Sequence, residues 1–246
     1  MAQITVRDDT ISLDEPVLVE GLPGVGLVGK LAADHLVETF EMEYYAACYC
    51  EGLPRVAVYD AEDTHARPPV RLYADGERDL VVLQSDVPVS PADASEFAGC
   101  VTGWLAQQDA LPIFLSGIPV EEKTGVGELY GIATGAAGGL LDEHGIVPPS
   151  QGGVVQGPTG ALVHEAERTD LDSLALVTES MPNFPDPEAA KVILEHGIAP
   201  VAGIEVDTDR LVEHAEEIQE ARERMAQQMQ EAGEESSRAQ PRGMFQ

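Results

Sequence analysis

The sequence predicts an α/β protein with a mostly parallel central sheet flanked by helices. Short β-branched strands alternate with segments of helical periodicity, glycine- and proline-rich turns separate them, and 43% hydrophobic content is enough to fill a core between the layers. The 246 residues suit one large α/β domain, assigned here to 1–206.

Taken in order, residues 4–6 and 16–20 read as strands. The Gly21–Gly26 turn follows, then a helix to about Phe40 that buries Val28, Leu31, Ala32 and Leu36. Residues 43–51, 55–59, 70–73 and 80–84 read as a run of strands. Ser90 caps the next helix, with Pro91 at its first position and Asp93 completing a Ser-x-x-Asp box. Phe97, Val101, Trp104 and Leu105 form the apolar face of that helix. Residues 111–115 are a strand leading into glycine-rich sequence, within which 135–143 reads as helical. Val154, Val155 and Gln156 read as a strand, and Gly157–Gly160 turns into a helix carrying Ala161, Leu162 and Val163. Residues 174–178 are the last core strand. Pro185-Asp186-Pro187 then precedes a helix over 188–196, stopped by Gly197.

Residues 207–232 read as one amphipathic helix. Leu211, Ala215, Ile218, Met225 and Met229 recur on it with a 3.5-residue period, which suits packing on the protein's own domain or an interface between copies in a homo-oligomer. Residues 233–246 form a polar, flexible tail that turns hydrophobic again at Met244 and Phe245 before Gln246.

Charge narrows the setting. Forty-four acidic residues face fourteen basic ones, a formal net charge of −30, and the acidity is spread along the chain. Such a surface repels itself at ordinary ionic strength but is screened in molar salt, where the Debye length is about 3 Å, so a halophilic protein with an acidic surface is expected. No basic stripe exists to neutralise phosphates, which argues against nucleic-acid binding. No run approaches the length of a membrane span, and the first residues lack the features of a signal peptide. The three cysteines, Cys48, Cys50 and Cys100, are too few and odd in number for a disulfide framework and point to a reducing cytoplasm. Cys48-Tyr49-Cys50 is too tight for the usual Cys-x-x-Cys metal knuckle. It reads as two positions on one face of a strand.

One motif invites an enzyme or nucleotide-binding reading. Gly24-Val25-Gly26-Leu27-Val28-Gly29 satisfies G-x-G-x-x-G between a strand and a helix, with Glu51 as a ribose acceptor. Gly21-Leu22-Pro23 lengthens the turn that a dinucleotide fold keeps tight. Gly24, Gly29 and Lys30 also approach a phosphate-binding loop, with Asp86 in the position of a second NTPase motif, but Leu31 stands where a magnesium-binding hydroxyl is needed. The competing reading is structural: Gly21, Pro23, Gly24, Gly26 and Gly29 permit a sharp turn and close packing of helix on sheet. The six histidines lack ligand spacing and no nucleophile elbow is present, so no catalytic residue, metal site or cofactor is expected.

Three stretches together resemble the proteasome assembly chaperone family in its archaeal form. They are Gly21 to Gly29, Met181-Pro182-Asn183-Phe184-Pro185-Asp186-Pro187-Glu188-Ala189-Ala190, and the run from Asp209 to Ile218. The resemblance covers roughly residues 10 to 225. It implies a single α/β domain with a phosphorylase-like sheet, self-association, no catalytic centre and the α-subunits of the 20S proteasome as partner. Members that engage the proteasome end in a hydrophobic residue, a tyrosine or similar aromatic, and any last residue. Met244-Phe245-Gln246 matches that pattern with phenylalanine in place of the usual tyrosine. Capture of a terminal carboxylate beside apolar anchors is a recognised binding mode.

Overall fold

A computed structural model describes residues 3–51, 53–59, 64–120, 127–182 and 185–211. The strands are β1 (Ile4–Val6), β2 (Val17–Gly21), β3 (Glu43–Cys48), β4 (Val70–Asp75), β5 (Leu80–Ser85), β6 (Leu111–Pro119), β7 (Leu129–Thr134) and β8 (Ser173–Ser180). The helices are α1 (Val28–Thr39), α2 (Ala94–Leu105), α3 (Gly138–Glu143), α4 (Gly157–Arg168), α5 (Pro187–Ile193) and α6 (Ala199–Ala202). One sheet runs in the order β1-β3-β4-β5-β2-β6-β8-β7.

The sheet is mixed, which corrects the mostly parallel one expected. Three pairings, β5–β2, β2–β6 and β6–β8, are parallel, and four, β1–β3, β3–β4, β4–β5 and β8–β7, are antiparallel. The cause is local. A parallel return needs a crossover, usually helical, whereas β4 and β5 are joined by the four-residue turn 76–79.

Alternation along the central strands divides the core into two layers. Val19, Leu80, Val82, Ile113, Leu115, Leu174 and Leu176 face α1, α5 and α6. Leu18, Val81, Leu83, Phe114 and Ala175 face α2 and α4. A side-chain period of two makes this division inevitable once both faces are covered. The expected apolar faces are in place: Val28, Leu31, Ala32 and Leu36 on α1, and Phe97, Val101, Trp104 and Leu105 on α2, are all buried.

Several boundaries differ from the sequence reading. β7 stands in the glycine-rich stretch that gave no strand signal. Gly131 lies at its centre, where a Cβ would be 2.5 Å from Leu141 Cδ2 and 2.8 Å from Ile146 Cγ2. Residues 55–59 contribute only the bridge Val58–Arg67, and Val154–Gln156 is a loop in which Val154 is 82% exposed. Ser90 does bond Asp93, hydroxyl to carboxylate at 2.5 Å, but the bond closes a turn and α2 begins at Ala94. Gly197 does not stop its helix. It sits in a wide π-type turn, Leu194–Ile198, where a Cβ would be 2.5 Å from Leu176 Cδ1, and the chain ends its helical course at Gly203 with φ 65°. The helix expected from Asp207 begins no earlier than 211, and the rest of 212–232 lies outside the described residues. Among the described residues no helix is long and apolar enough to cross a membrane.

The cysteines give the largest correction. Cys50 and Cys100 form a disulfide, with Cα atoms 5.9 Å apart, that ties the chain just beyond β3 to α2. An odd count could not reveal it, because pairing follows from α2 lying across the end of β3. The count therefore no longer argues for a reducing compartment. Cys48 keeps a free thiol, which burial pushes up to about 11. The bridge closes a 50-residue separation. Its reduction, or Cys100→Ser, is expected to lower the free energy of unfolding by roughly 2–4 kcal/mol in urea titrations at fixed salt.

Candidate functional site

The two motifs quoted from distant parts of the sequence meet in space. β2 ends at Gly21, where a Cβ would lie 2.3 Å from Ala33 Cβ and 2.9 Å from the Leu83 carbonyl oxygen. Gly29 gives the same clearance from the helix side, 3.3 Å from the carbonyl oxygens of Glu20 and Leu22. Between them the chain turns at Gly26, with φ 60°, and a Cβ there would fall 1.9 Å from Ser180 Oγ. Leu27 shares the left-handed conformation at φ 54°, a cost for leucine that burial of its side chain in the core offsets.

The late motif completes the joint. The Asp186 N–H donates to the Gly26 carbonyl at 2.9 Å. The Asp186 carboxylate caps α5 by accepting from Ala189 N–H at 3.0 Å, and it also accepts from Met181 N–H at 3.1 Å. Below them Gly117 of β6 leaves room for Val25, whose Cβ would be 3.0 Å from an added Cβ. Gly21, Gly26 and Gly29 thus have steric reasons, Pro23 is half-buried, and Gly24 is exposed with open space around it.

Glu20 was not singled out by the sequence. The signal was there: a carboxylate ending an apolar strand immediately before the glycine turn. It is 1% exposed. Its oxygens accept from Leu115 N–H at 2.9 Å, Thr159 hydroxyl at 3.0 Å and Leu22 N–H at 3.3 Å. β2 and β6 stop pairing at Val19–Ile113 and separate beyond it, so the carboxyl fills the crevice between them. This is the topological switch point, where open α/β sheets place their ligands. Desolvation, only partly offset by the three donors, pushes Glu20 from an ordinary 4.5 up to about 7.

That arrangement bears on the nucleotide reading. One loop N–H that a phosphate would need is already given to Glu20, itself an anion once ionised. Lys30 Nζ is held by the Asp34 carboxylate at 2.7 and 2.8 Å and lies 3.7 Å from Asp86. Asp86 is paired with buried Arg71, and Gln84 donates to Asp34 at 2.7 Å. Glu51 follows β3, which is separated from β2 by β4 and β5, so three strand spacings of about 4.8 Å each put it out of reach of the loop.

Beside the joint lies an apolar cleft of about 620 Å³, floored by β6, β8 and β7 and roofed by residues 149–156. Ile118, Ile132 and Val154 line it and are exposed, as is Met181 nearby. Its described lining holds no lysine, arginine, histidine or cysteine, and its surface is mainly apolar, with Ser116, Tyr130, Ser150 and Glu179 among its polar residues. Leu211 is buried in the core of its own chain. Ala215, Ile218, Met225, Met229, Met244, Phe245 and Gln246 lie outside the described residues.

The Glu20 proton supplies a test. Its folded-state pKa is raised, so the folded protein holds the proton to higher pH than the unfolded chain does. The associated stability is full in the acid range and is lost as pH rises toward and through about 7. Between pH 5 and 8 the stability difference between wild type and Glu20→Gln should shift by on the order of 3 kcal/mol in favour of the variant, measured by denaturant titration in constant salt. A constant difference would show that Glu20 is ionised throughout.

Comparison with known proteins places this architecture. An uncharacterized protein of Methanocaldococcus jannaschii is 28% identical over 226 residues, covering 89% of this chain and 87% of that one. PbaA of Pyrococcus furiosus, described as an archaeal homolog of proteasome-assembly chaperone, superposes with a TM-score of 0.79 at 26% identity, covering 94% of this chain and 99% of its own. PbaB of the same organism, described as an archaeal proteasome activator, shares the fold with a TM-score of 0.71 at 24% identity, covering 92% and 98%. The PAC2 family model matches residues 18–226, from the first parallel strand through both motifs of the joint, and the chain belongs to the PAC2 family.

Proposed function

We propose that this protein is a non-enzymatic assembly chaperone or regulator of the proteasome, acting as a homo-oligomer on the α-ring of the 20S particle. The observation that carries the reading is the likeness to PbaA, which extends over nearly the full length of both chains. The geometry of the joint supports it. The switch-point crevice is filled by the protein's own Glu20, and the neighbouring cleft is apolar and open, a surface suited to another protein more than to a small polar substrate.

Met244, Phe245 and Gln246 are the proposed contact with the α-subunits, with the two apolar side chains as anchors. Phenylalanine in place of tyrosine forgoes one hydroxyl hydrogen bond, worth about 1 kcal/mol. The charge of −30 fits a cytoplasm of high salt, in which the acidic surface is screened. Homo-oligomerisation multiplies the number of tails presented to a ring and so raises avidity.

Pull-down with 20S α-subunits in multimolar KCl, comparing the full chain with one lacking Met244–Gln246, tests the contact. Deletion should weaken capture by about tenfold or more, and Phe245→Tyr should strengthen it by up to about tenfold. Equal capture by full and trimmed chains would remove these residues from the mechanism. A saturable shift of the melting temperature by nucleotides, abolished by Gly26→Val at preserved fold, would favour a nucleotide-binding role for the glycine loop.

A further inference from the structure

Three sulfur atoms converge where the end of β3 meets α2. Cys48 closes β3 and Cys50 follows two residues later, so strand alternation turns both toward the face that α2 covers. Cys100 comes from α2 itself. The three Sγ atoms lie within 4.8 Å of one another. Cys50 and Cys100 are bonded, and the Cys48 thiol sits 3.2 Å from Cys50 Sγ.

A single cross-link uses two of these sulfurs and leaves the third in contact with it. Metal–sulfur bonds of about 2.3 Å in a trigonal arrangement require sulfurs about 4 Å apart. Once the Cys50–Cys100 bond opens, side-chain rotation can bring these three sulfurs, already within 4.8 Å of one another, to that spacing. Three thiolates make a soft donor set, and among the described residues no histidine nitrogen belongs to the cluster. A fully tetrahedral thiolate site would need a fourth cysteine, and the sequence has three.

The surroundings supply a route. A cleft of about 760 Å³ opens beside the cluster, lined by Cys48 and Cys50 together with Tyr49, Glu51, Arg67 and Glu96. Glu96 stands four residues before Cys100 on α2 and therefore on the same side of the helix. The mouth carries Glu51 and Glu96 beside Arg55 and Arg67, so its formal charges balance, while Cys48 and Cys50 are buried at its floor.

We propose that, in the reduced protein, Cys48, Cys50 and Cys100 form a three-thiolate site for a soft d10 cation, Cu(I), entered from the cleft beside Glu96. Opening the site takes two electrons and two protons. A dithiol reductant supplies both and is itself converted to a disulfide, leaving Cys50 and Cys100 as thiols. Capture then forms three Cu–S bonds and releases the thiol protons. The oxidised protein, with two of its three donors bonded to each other, does not hold the ion. Metal capture thereby depends on redox state without the metal changing valence.

The full chain, reduced with a dithiol, freed of reductant and kept anaerobic, is titrated with Cu(I) against the chromophoric chelator bicinchoninate. One ion per chain should be withheld from the chelator by the reduced protein and none by the oxidised one. Cys48→Ser should weaken retention beyond the roughly 10–100-fold that loss of a supporting residue costs. This variant keeps the disulfide-forming pair, and circular dichroism with a thermal melt confirms its fold. Failure of the reduced protein to compete, or equal retention after Cys48→Ser in a folded variant, overturns the proposal.

Discussion

At Gly26 the backbone passes through the left-handed region while touching Ser180 and accepting the N–H of Asp186, and this close approach sets the geometry of the whole sheet end. It needs a glycine for two independent reasons, the sign of φ and the absence of room for a Cβ. Gly21, Gly29 and Gly117 extend the same condition to both sides, so that β2, α1, β6 and the end of β8 converge with only backbone and small side chains between them. Asp186 then uses its carboxylate twice, on Met181 and on Ala189, so the loop that touches Gly26 is also the cap of α5. Loss of any one of these contacts would loosen two helices at once, since α1 and α5 pack on each other and on the same core layer.

Electrostatics at this end of the sheet run counter to those of a phosphate site. A P-loop presents free backbone N–H groups and a lysine to an anion. Here Leu22 and Leu115 give their N–H groups to Glu20, and Lys30 is held among carboxylates. The cations that the sequence does retain are placed with care. Arg71 is buried against Asp86, Tyr73 and the Pro68 carbonyl, and Arg78 lies over the Phe40 ring. Two of the fourteen basic residues thus make contacts that tie strands and helices together, Arg71 in the interior and Arg78 at the surface.

Much of the fold was legible because it follows from short-range rules. The apolar stripes of α1 and α2, and strands β2, β4, β5 and β8, are near where periodicity put them. The sense of strand pairing was less so. The run of strands between 43 and 85 lacked any intervening helix, a sign of antiparallel neighbours that the overall alternation masked. β7 was hidden by Gly131, which weakens a strand signal for the same reason that it permits Leu141 and Ile146 to approach. At the site, the glycines could be read as steric devices from sequence, but their partners could not: Ser180 lies 154 residues beyond Gly26 and Asp186 lies 160 beyond it. Glu20 and the cysteine cluster were missed for a common reason, since burial of a carboxylate and the meeting of sulfurs are properties of packed elements. Asp186 before Pro187 did carry a local signature, that of a helix cap, and the structure adds a second use.

The placement of Leu211 has a consequence for how the molecule can be used. α1 runs back from the glycine joint, so its far end, with the His35 ring Nε2–H donating to the Asp207 carbonyl oxygen at 2.5 Å, marks the opposite end of the sheet from the cleft. Leu211 is buried there, in the layer that contains α1. The contacts that hold Asp207 and Leu211 therefore lie at the opposite pole of the sheet from the apolar cleft, and a partner seated in the cleft would leave them undisturbed.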